Sequence, residues 1–489
     1  MKMRKMCGLF VCAMAFLWSM QAHAANVFLP GNGSRAMGKA SAVVASGDGE
    51  YAMFFNPANL SRLRGFGIRI DSYWSYQSLT FERQAEGSTT FEPSVKKSDP
   101  VWVPFVALTF GTAKLGPGEF GVSAFWYGPH GRSVKFPEEE GTCEQPQNPE
   151  TDGVAYTCDP MPKPGAQRFS MIYTSSPLLY GGIGAAYAMS FAGFKVRAGA
   201  TFKLASLFVE QKLALIAASS LYRPTQDPSA AEVLMKASGS GIYFTGDLGL
   251  TVETPGGFSI GASFFFPATA QISGSLDIQA GSLFGGLAKV FGNQIDMVVP
   301  FPGIFRAGVA WQRHNLSIEA SLVMELWGEA QQSIDVLPKD IVIRTGGEDN
   351  KLGKVEIAQV LRNSISLRVG AEYNLMKMFL FRLGFLYESG STVEERLTPG
   401  TMDYPEKIGL SAGISYQIPV VGLRLDVSAI HFLTKEYNVT NSKILPADVS
   451  PDNLKNSDNI GPVANGKYTY GVTVIAVGLR GNWGEGAKK

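Results

Sequence analysis

Two short stretches of the sequence match the Gly-x-Ser-x-Gly pattern of a serine hydrolase nucleophile. They are residues 257–261, centred on Ser259, and residues 409–413, centred on Ser411. In a hydrolase, the serine of this pattern sits on a sharp turn between a strand and a helix. Both stretches lie instead in runs where apolar residues alternate with small or polar ones, which indicates a strand around each serine. We therefore interpret both matches as chance and do not expect a lipase.

Metal and cofactor chemistry is equally poorly supported. Beyond the N-terminal region the histidines are His130, His314 and His431, which lie far apart in the sequence. They show none of the spacings that are typical of a metal site. We predict no metal, no cofactor and no enzymatic activity.

Binding of apolar molecules is a better match to the sequence. Apolar residues recur at helical spacing in two long links between predicted strands, 206–240 and 271–302, and Asp227 followed by Pro228 is typical of a helix start. Exposed apolar helices would be unfavourable if they were bare. They form either a groove that captures a hydrophobic molecule or two helices that pack together and cap the fold. The candidate groove residues are Leu213, Leu215, Ile216, Val233, Leu234, Leu283, Phe284, Leu287, Val290 and Phe291.

The N-terminus predicts an exported protein. Residues 1–24 have a basic start, a short apolar run and small residues at Ala22 and Ala24, as in a signal peptide. The apolar run is too short for a membrane helix, which needs about 20 residues. Cys143 and Cys158 are the cysteines that remain after cleavage. In an exported chain they are expected to form a disulfide, and no nearby histidine favours a metal site instead.

Composition narrows the class of protein. The 43 basic and 42 acidic residues give a net charge of +1, which excludes a broad basic surface and therefore a nucleic-acid partner. Charged residues make up only 17% of the chain, below the roughly 25% of ordinary soluble domains. Together with the many glycines and aromatic residues, this favours a membrane barrel or a large secreted β-protein.

Alternation with a period of two predicts the fold. Short turns alternate with long links between the predicted strands, which is typical of an outer-membrane barrel with periplasmic turns and extracellular loops. We predict an all-β fold, a 14-stranded antiparallel transmembrane β-barrel with short helices in its extracellular loops. The strands are expected near 66–81, 101–112, 118–128, 178–190, 193–205, 241–253, 257–270, 303–312, 315–327, 363–374, 378–389, 406–418, 421–433 and 467–483.

The same alternation predicts which side chains face lipid and which face the lumen. Apolar residues are expected outside and Gly, Ser and charged residues inside. Aromatic residues near strand ends are expected to form girdles at the membrane surfaces: Tyr73, Trp74, Trp126, Tyr127, Trp311, Trp327, Tyr387 and Trp483. The charged lumen residues would either pair with one another and fill the interior or hold a substrate carboxylate: Lys195, Arg197, Lys203, Arg306, Arg368, Glu372, Arg382, Arg424 and Asp426.

A Gly/Ala-rich stretch, residues 25–64, separates the signal peptide from the strands. It is too long for a linker and too poor in charge for a solvated tail, and its small residues suit close packing. If the strands close into a barrel over 65–483, this stretch is the candidate plug, or hatch. Its presence argues against a general aqueous porin. Residues 484–489 form a polar C-terminal tail.

Two motifs resemble the FadL/TodX family of outer-membrane transporters for hydrophobic compounds. Residues 36–40 (Ala-Met-Gly-Lys-Ala) followed by Asn56-Pro57-Ala58 are similar to the family's hatch, and residues 409–416 are similar to one of its strands. The start of the mature chain and the polar tail depart from the family pattern. The resemblance implies that the hatch or gate residues are Phe28, Leu29, Gly38, Asn56, Pro57 and Ala58.

The resemblance also implies a function. It predicts passive uptake of hydrophobic small molecules, long-chain fatty acids or aromatic hydrocarbons, across the Gram-negative outer membrane. The alternative is a barrel that transports nothing and serves secretion or assembly as a scaffold. As partners we expect the hydrophobic substrate, outer-membrane lipid and lipopolysaccharide, and the barrel-assembly machinery, for a chain that acts as a monomer.

Overall fold

The structure is a computed structural model that describes most of the chain. The residues outside the described part include the predicted signal peptide, Phe28, Leu29, Cys143, Cys158, Leu283, Phe284, Leu287, Asp227, Pro228 and residues 485–489 of the C-terminal tail. The described residues are 33–84, 94–97, 100–130, 133–136, 139–140, 163–164, 167, 172–216, 232–280, 288–345, 348–358, 360–376, 378–401, 406–418, 422–444, 462, 464 and 465–484.

Fourteen antiparallel strands close into one barrel, as predicted. Each strand pairs with its neighbours along the chain, and the last closes on the first from Phe66 opposite Trp483 to Arg83 opposite Gly466. The strands are β1 Gly65–Arg83, β2 Pro100–Leu115, β3 Gly118–His130, β4 Leu178–Phe191, β5 Phe194–Ile216, β6 Glu232–Glu253, β7 Phe258–Phe265 with Ala268–Ala280, β8 Gln294–Phe301 with Ile304–Arg313, β9 Leu316–Glu325, β10 Ser364–Leu375, β11 Phe379–Glu388, β12 Lys407–Ile418, β13 Leu423–Thr434 and β14 Gly466–Trp483.

The outer face of the wall is apolar. On β11 and β12 the residues that were predicted to face lipid are exposed, with Leu383 at 68% and Leu410 at 52%, while Arg382 and Ser411 between them are buried inside. A closed wall leaves no unpaired strand edge, and an apolar outer band matches the hydrocarbon of a bilayer. The structure thus confirms a transmembrane β-barrel of the outer-membrane type.

Two of the predicted long links are largely strand. β5 and β6 continue in register as far as Ile216 opposite Glu232. β7 and β8 likewise extend well past the predicted ends, with short interruptions at 266–267 and 302–303. The apolar residues of these links therefore follow a strand period, and the helices predicted there are wrong within the described residues.

In the part of the chain that the structure describes, helices are few and short. α1 (Ser34–Met37), α2 (Ala52–Phe55) and a 3-10 helix (Pro57–Arg62) precede the barrel. α3 (Trp327–Ala330) and a 3-10 helix (Glu394–Arg396) lie in connections on the long-loop side. Among the helices that the structure describes, none is long and apolar enough to cross a membrane.

Three predicted girdle residues point inward. Tyr73, Tyr127 and Trp327 are 5%, 3% and 2% exposed. Tyr73 and Tyr127 share the inward parity of Asp71 and Phe125 on the same strands, and Trp327 follows β9 in α3, where the strand period has ended. Their girdle assignment is therefore wrong. Trp483 is 45% exposed beside Phe66, at the end where the chain makes its short turns.

Residues 33–64, here called the N-terminal segment, contact the inner face of the wall. Backbone and side-chain atoms of this segment bond to inward residues of distant strands, such as Ala40 N to Ser411 Oγ (2.8 Å) and Ser263 Oγ to Phe55 O (2.5 Å). The segment contains non-glycine residues in the left-handed backbone region, Ala40 and Ser41, with φ of 49° and 62°. Such conformations persist where surrounding contacts enforce them.

Room for the N-terminal segment comes from inward glycines of the wall. A Cβ built on Gly199 would lie 2.5 Å from Pro57 O, and one on Gly370 would lie 2.5 Å from Lys39 O. Real Cβ atoms do not approach backbone this closely. Nearly every strand contributes an inward glycine at which a Cβ would lie within 3.1 Å of an atom of the segment, and together we call them the glycine ring: Gly111, Gly121, Gly184, Gly199, Gly249, Gly261, Gly308, Gly370, Gly384, Gly413 and Gly478.

Adding a methyl group to the glycine ring should displace the segment. In Gly249→Ala the new Cβ would meet Pro57 Cδ at 2.7 Å, and the clash should cost about 1–3 kcal/mol of stability. We expect a lower temperature of barrel unfolding, measured by the heat-dependent gel mobility of the purified protein. Gly471→Ala is the matched control, because a Cβ there has no atom within 4 Å among the described residues. Equal unfolding temperatures for the two variants would contradict the packing role.

Candidate functional site

The Asn-Pro-Ala tripeptide joins the N-terminal segment to β6. Asn56 is fully buried, and its Nδ2 donates to Val44 O (3.0 Å), Leu250 O (3.1 Å) and Thr251 Oγ1 (3.0 Å). Its Oδ1 accepts from Ala58 N at 3.1 Å, which caps the following 3-10 helix. Because Pro57 fixes its own φ and restricts the residue before it, the tripeptide holds one conformation. Asn56 therefore links two parts of the segment to each other and to the wall.

A second attachment is a buried carboxylate on β9. Glu319 is 0% exposed and accepts from the backbone N–H groups of Ala45 (2.9 Å) and Ser46 (2.8 Å). Ser321 Oγ donates to the same carboxylate at 2.7 Å. A buried carboxylate is stabilised by several such donors. The bend at residues 42–47 is thus fixed by a wall residue far away in the sequence.

Arginine 35 of α1 makes the third attachment. Its Nε and Nη2 bind the Glu372 carboxylate at 2.8 and 2.6 Å, and Nη1 contacts Asp48 within the segment. Burial alone would raise the pKa of Asp48, but Arg35, Arg424 and Arg480 hold it well below its usual range. Asp48 therefore stays ionised and keeps its arginine partner.

A cluster of buried charges joins β1, β13 and the segment. Arg69 contacts Asp71 (2.8 Å) and Asp426, and Arg424 contacts Glu50 of the segment at 2.5 Å. All of these side chains are at most 5% exposed. Removing one partner from such a cluster would leave a buried charge uncompensated, at a cost of about 3–5 kcal/mol. Among the predicted lumen charges, Arg424 binds the segment directly and Asp426 belongs to the same cluster.

A cavity of about 440 Å³ separates part of the segment from the wall. It lies toward the short-turn end, since its lining includes Thr254 and Gly257 between β6 and β7 and Gln312 near the end of β8. Its charged lining residues are Arg35, Lys39, Asp48, Arg62, Glu253 and Glu372. The volume falls within the roughly 300–1,000 Å³ of small-molecule sites.

The long-loop side of the segment has a different character. Buried aromatic rings follow one another from the segment across the lumen, beginning with Tyr51 against Phe105 (5.5 Å between centroids) and Phe54 against Tyr127 (3.9 Å). They continue through Tyr180, which stacks on Tyr127 at 5.3 Å. We call these rings the aromatic series: Tyr51, Phe54, Phe105, Tyr127, Tyr180, Tyr243 and Phe301.

One buried cation lies beside the aromatic series. Lys203 is 1% exposed, and its Nζ is 2.5 Å from Asp247 and 5.0 Å from the centre of the Phe265 ring. Arg306 Nη1 is 3.5 Å from the other oxygen of Asp247. Neither Arg306 Nη1 nor that oxygen has a hydrogen-bond partner of good geometry among the described residues. Lys203, Asp247 and Arg306 thus combine two cations with one carboxylate next to apolar rings.

The structure separates the predicted site residues. Gly38, Asn56, Pro57 and Ala58 all lie in the segment against the wall, with Gly38 next to Gly413 and Arg382. Five candidate groove residues are on paired strands, with Leu215 opposite Val233: Leu213, Leu215, Ile216, Val233 and Leu234. Val290 and Phe291 are on a small strand, Ala288–Phe291, that pairs with Val342–Thr345. Within the described residues, a groove between two helices is therefore wrong.

Sequence reasoning missed the aromatic series. Inward residues of β3 run Gly121, Ser123, Phe125, Tyr127 away from the short turn, so they change from small to aromatic along the strand. The same change occurs on β2 and β4. This gradient along the inward parity was present in the sequence and could have identified the apolar half of the lumen.

Comparisons with known proteins agree with this architecture. No protein-family model matches the sequence, and no curated protein matches it. Among solved structures, a Pseudomonas aeruginosa FadL homologue is 15% identical, with a TM-score of 0.66 over 95% of this chain and 100% of that chain. The Pseudomonas putida toluene transporter TodX is 15% identical (TM-score 0.61, 94% and 100% covered).

A third solved structure has the same architecture. The Ralstonia pickettii toluene transporter TbuX is 16% identical, with a TM-score of 0.56 over 93% of this chain and 99% of that chain. Nearly full coverage of both chains in all three cases means that the likeness includes the whole barrel. The chain has the fold of the FadL and TodX transporters, as the sequence motifs predicted.

Proposed function

We propose that the chain is a member of the FadL/TodX family that takes up hydrophobic small molecules passively across the outer membrane. The observation that supports this most directly is the aromatic series, which makes the long-loop half of the lumen apolar. A general porin has a polar, water-filled lumen instead. A barrel that serves only as a secretion or assembly scaffold has no need of buried aromatic rings shared between wall and segment.

In this proposal the N-terminal segment is the hatch. The bonds of Asn56, Glu319 and Arg35 attach it at separate points of the wall, so the body of the hatch remains in place. The gate is then assigned to Phe28 and Leu29, which lie outside the described residues, so that opening leaves the buried ion pairs of the hatch intact.

Capture at the surface takes a different form from the predicted groove. β5 and β6 pair without interruption to Ile216 and Glu232, and β6 also pairs with β7 from Val233 onward, so any capture surface at these residues is the face of an extended sheet. The substrate would pass from there to the aromatic series. Each buried CH₂ group contributes about 0.8 kcal/mol, which is enough to draw a long acyl chain or an aromatic ring out of water.

Uptake by intact cells tests the proposal directly. A strain that lacks its own fatty-acid transporter should take up radiolabelled oleate, or toluene, faster when it expresses this chain. Oleate and toluene are tested separately, because Lys203 and Arg306 could pair with a carboxylate whereas the aromatic series suits either molecule. Unchanged uptake of both compounds, with the barrel present in the outer membrane, would contradict a transporter.

The apolar half of the lumen can be tested at Tyr180. Tyr180→Ser removes a ring that contacts Tyr127, Tyr243 and Phe265. A ring contact with the transported compound would contribute about 0.5–1.5 kcal/mol, so we expect the apparent affinity for that compound to fall about tenfold. Tyr416→Ser on the outer face, 39% exposed, is the control and should leave uptake unchanged. Equal effects of the two changes would argue against the aromatic series as the binding region.

The fixed point of the hatch can be tested at the tripeptide. In the double variant Asn56→Ala with Pro57→Ala, the buried Thr251 hydroxyl loses its donor and the turn loses its restraint, at a cost of about 1–3 kcal/mol. Uptake should fall and the barrel should unfold at lower temperature. Asn438→Ala, at an exposed asparagine, is the control. Normal uptake together with normal heat stability in the double variant would refute this role.

A further inference from the structure

The cavity between the segment and the wall contains a lysine that makes no ion pair among the described residues. Lys39 lines the cavity and is only 4% exposed, and its Nζ bonds to Ser46 Oγ at 2.9 Å. An ammonium group has three N–H donors, so this bond leaves two of them for other partners. Within the part of the chain that the structure describes, no carboxylate lies within ion-pair distance of Lys39.

The other cations of the cavity each contact a carboxylate. Arg35 binds Glu372 at 2.6 Å and also contacts Asp48. Arg62 binds Glu253 at 2.6 Å, and Glu253 is shared with Arg197 at 2.8 Å. Lys39 therefore differs from its neighbours, because a buried charge without a partner is costly and is relieved by an anion.

The rest of the cavity lining suits a ligand with an apolar body. Val43, Tyr51, Ala52 and Phe55 contribute apolar surface to the same space. Burial lowers the pKa of the Lys39 ammonium, and the more distant carboxylates Glu319 and Glu372 oppose this effect. An anion at Nζ would stabilise the charged form of the lysine further.

We propose that this cavity is a binding site for a small organic carboxylate, with Lys39 as the group that binds the carboxylate. Lys39 Nζ and Ser46 Oγ would donate to the anion, and the apolar residues of the lining would contact the body of the ligand. The site lies on the short-turn side of the segment, whereas the aromatic series lies on its long-loop side. It is independent of the proposed uptake function, which could fail while carboxylate binding remains.

The test uses the purified full chain in detergent, with benzoate as the probe and benzyl alcohol as its uncharged counterpart. Binding is measured by isothermal titration calorimetry. Benzoate should bind the unmodified protein, and Lys39→Met should weaken this binding about tenfold or more, since a charge-assisted hydrogen bond is lost. Lys39→Arg should restore most of the affinity. Benzyl alcohol should bind weakly to all three proteins.

Two further variants make the result specific. Ser259→Trp on β7 fills the cavity from the wall and leaves Lys39 intact, so it should abolish benzoate binding even if Lys39→Met fails to fold. Lys443→Met, at a cation 58% exposed on a connecting loop, should have no effect. Heat-dependent gel mobility verifies the fold of each variant. The proposal is overturned if benzoate does not bind the unmodified protein, or binds equally well to Lys39→Met or to Ser259→Trp.

Discussion

The close approach of the N-terminal segment to the barrel wall is the constraint on which the rest of the structure depends. The backbone of residues 38–40 lies against Gly370, Gly384 and Gly413, where side chains would leave no room. A barrel of fourteen strands is wider than the eight-stranded kind that its own side chains can fill. Here the inward positions of the wall are glycines at one level of the barrel, and the segment occupies the space that side chains would have filled. Each glycine weakens its own strand, but together the glycines make the room that the segment needs.

Such a fit creates an electrostatic requirement. The segment carries Arg35, Asp48 and Glu50 into the barrel interior, where a buried charge needs a partner. The wall supplies Glu372, Arg424 and their neighbours at the matching positions. Hydrogen bonds to the backbone, as at Glu319, fix the segment where it has no suitable side chain. Packing and ion pairing thus both favour the same position of the segment inside the barrel.

Much of this fold was predictable because its main signal is local. A strand was predicted over 406–418 and lies at Lys407–Ile418, since alternation between lipid and lumen is imposed residue by residue. The link at 206–240 was predicted wrongly for the complementary reason. Short apolar runs such as those around Leu215 and Val233 fit a helix or a strand equally well, and their pairing with each other decides between the two.

The site was less predictable than the fold. The Asn56-Pro57-Ala58 motif was visible in the sequence, but its partner Thr251 is distant along the chain and is determined by how the barrel closes. Tyr127 was predicted to lie in a membrane girdle, because it is an aromatic residue near a strand end. The same side chain is equally suited to the lumen. Its parity with Ser123 and Phe125, which face the lumen, distinguishes the two environments.

The two sides of the segment differ in polarity, and this difference bears on any route for an apolar molecule. On one side lie Tyr127, Tyr180 and Tyr243; on the other the cavity is lined by several charged residues. An apolar chain that moved from the first side to the second would lose about 0.8 kcal/mol for each CH₂ group exposed to a polar surface. If the proposed uptake is correct, the charged residues of the cavity lining oppose direct passage of a fully apolar substrate. The described part of the segment is then a barrier, and the substrate must pass around it.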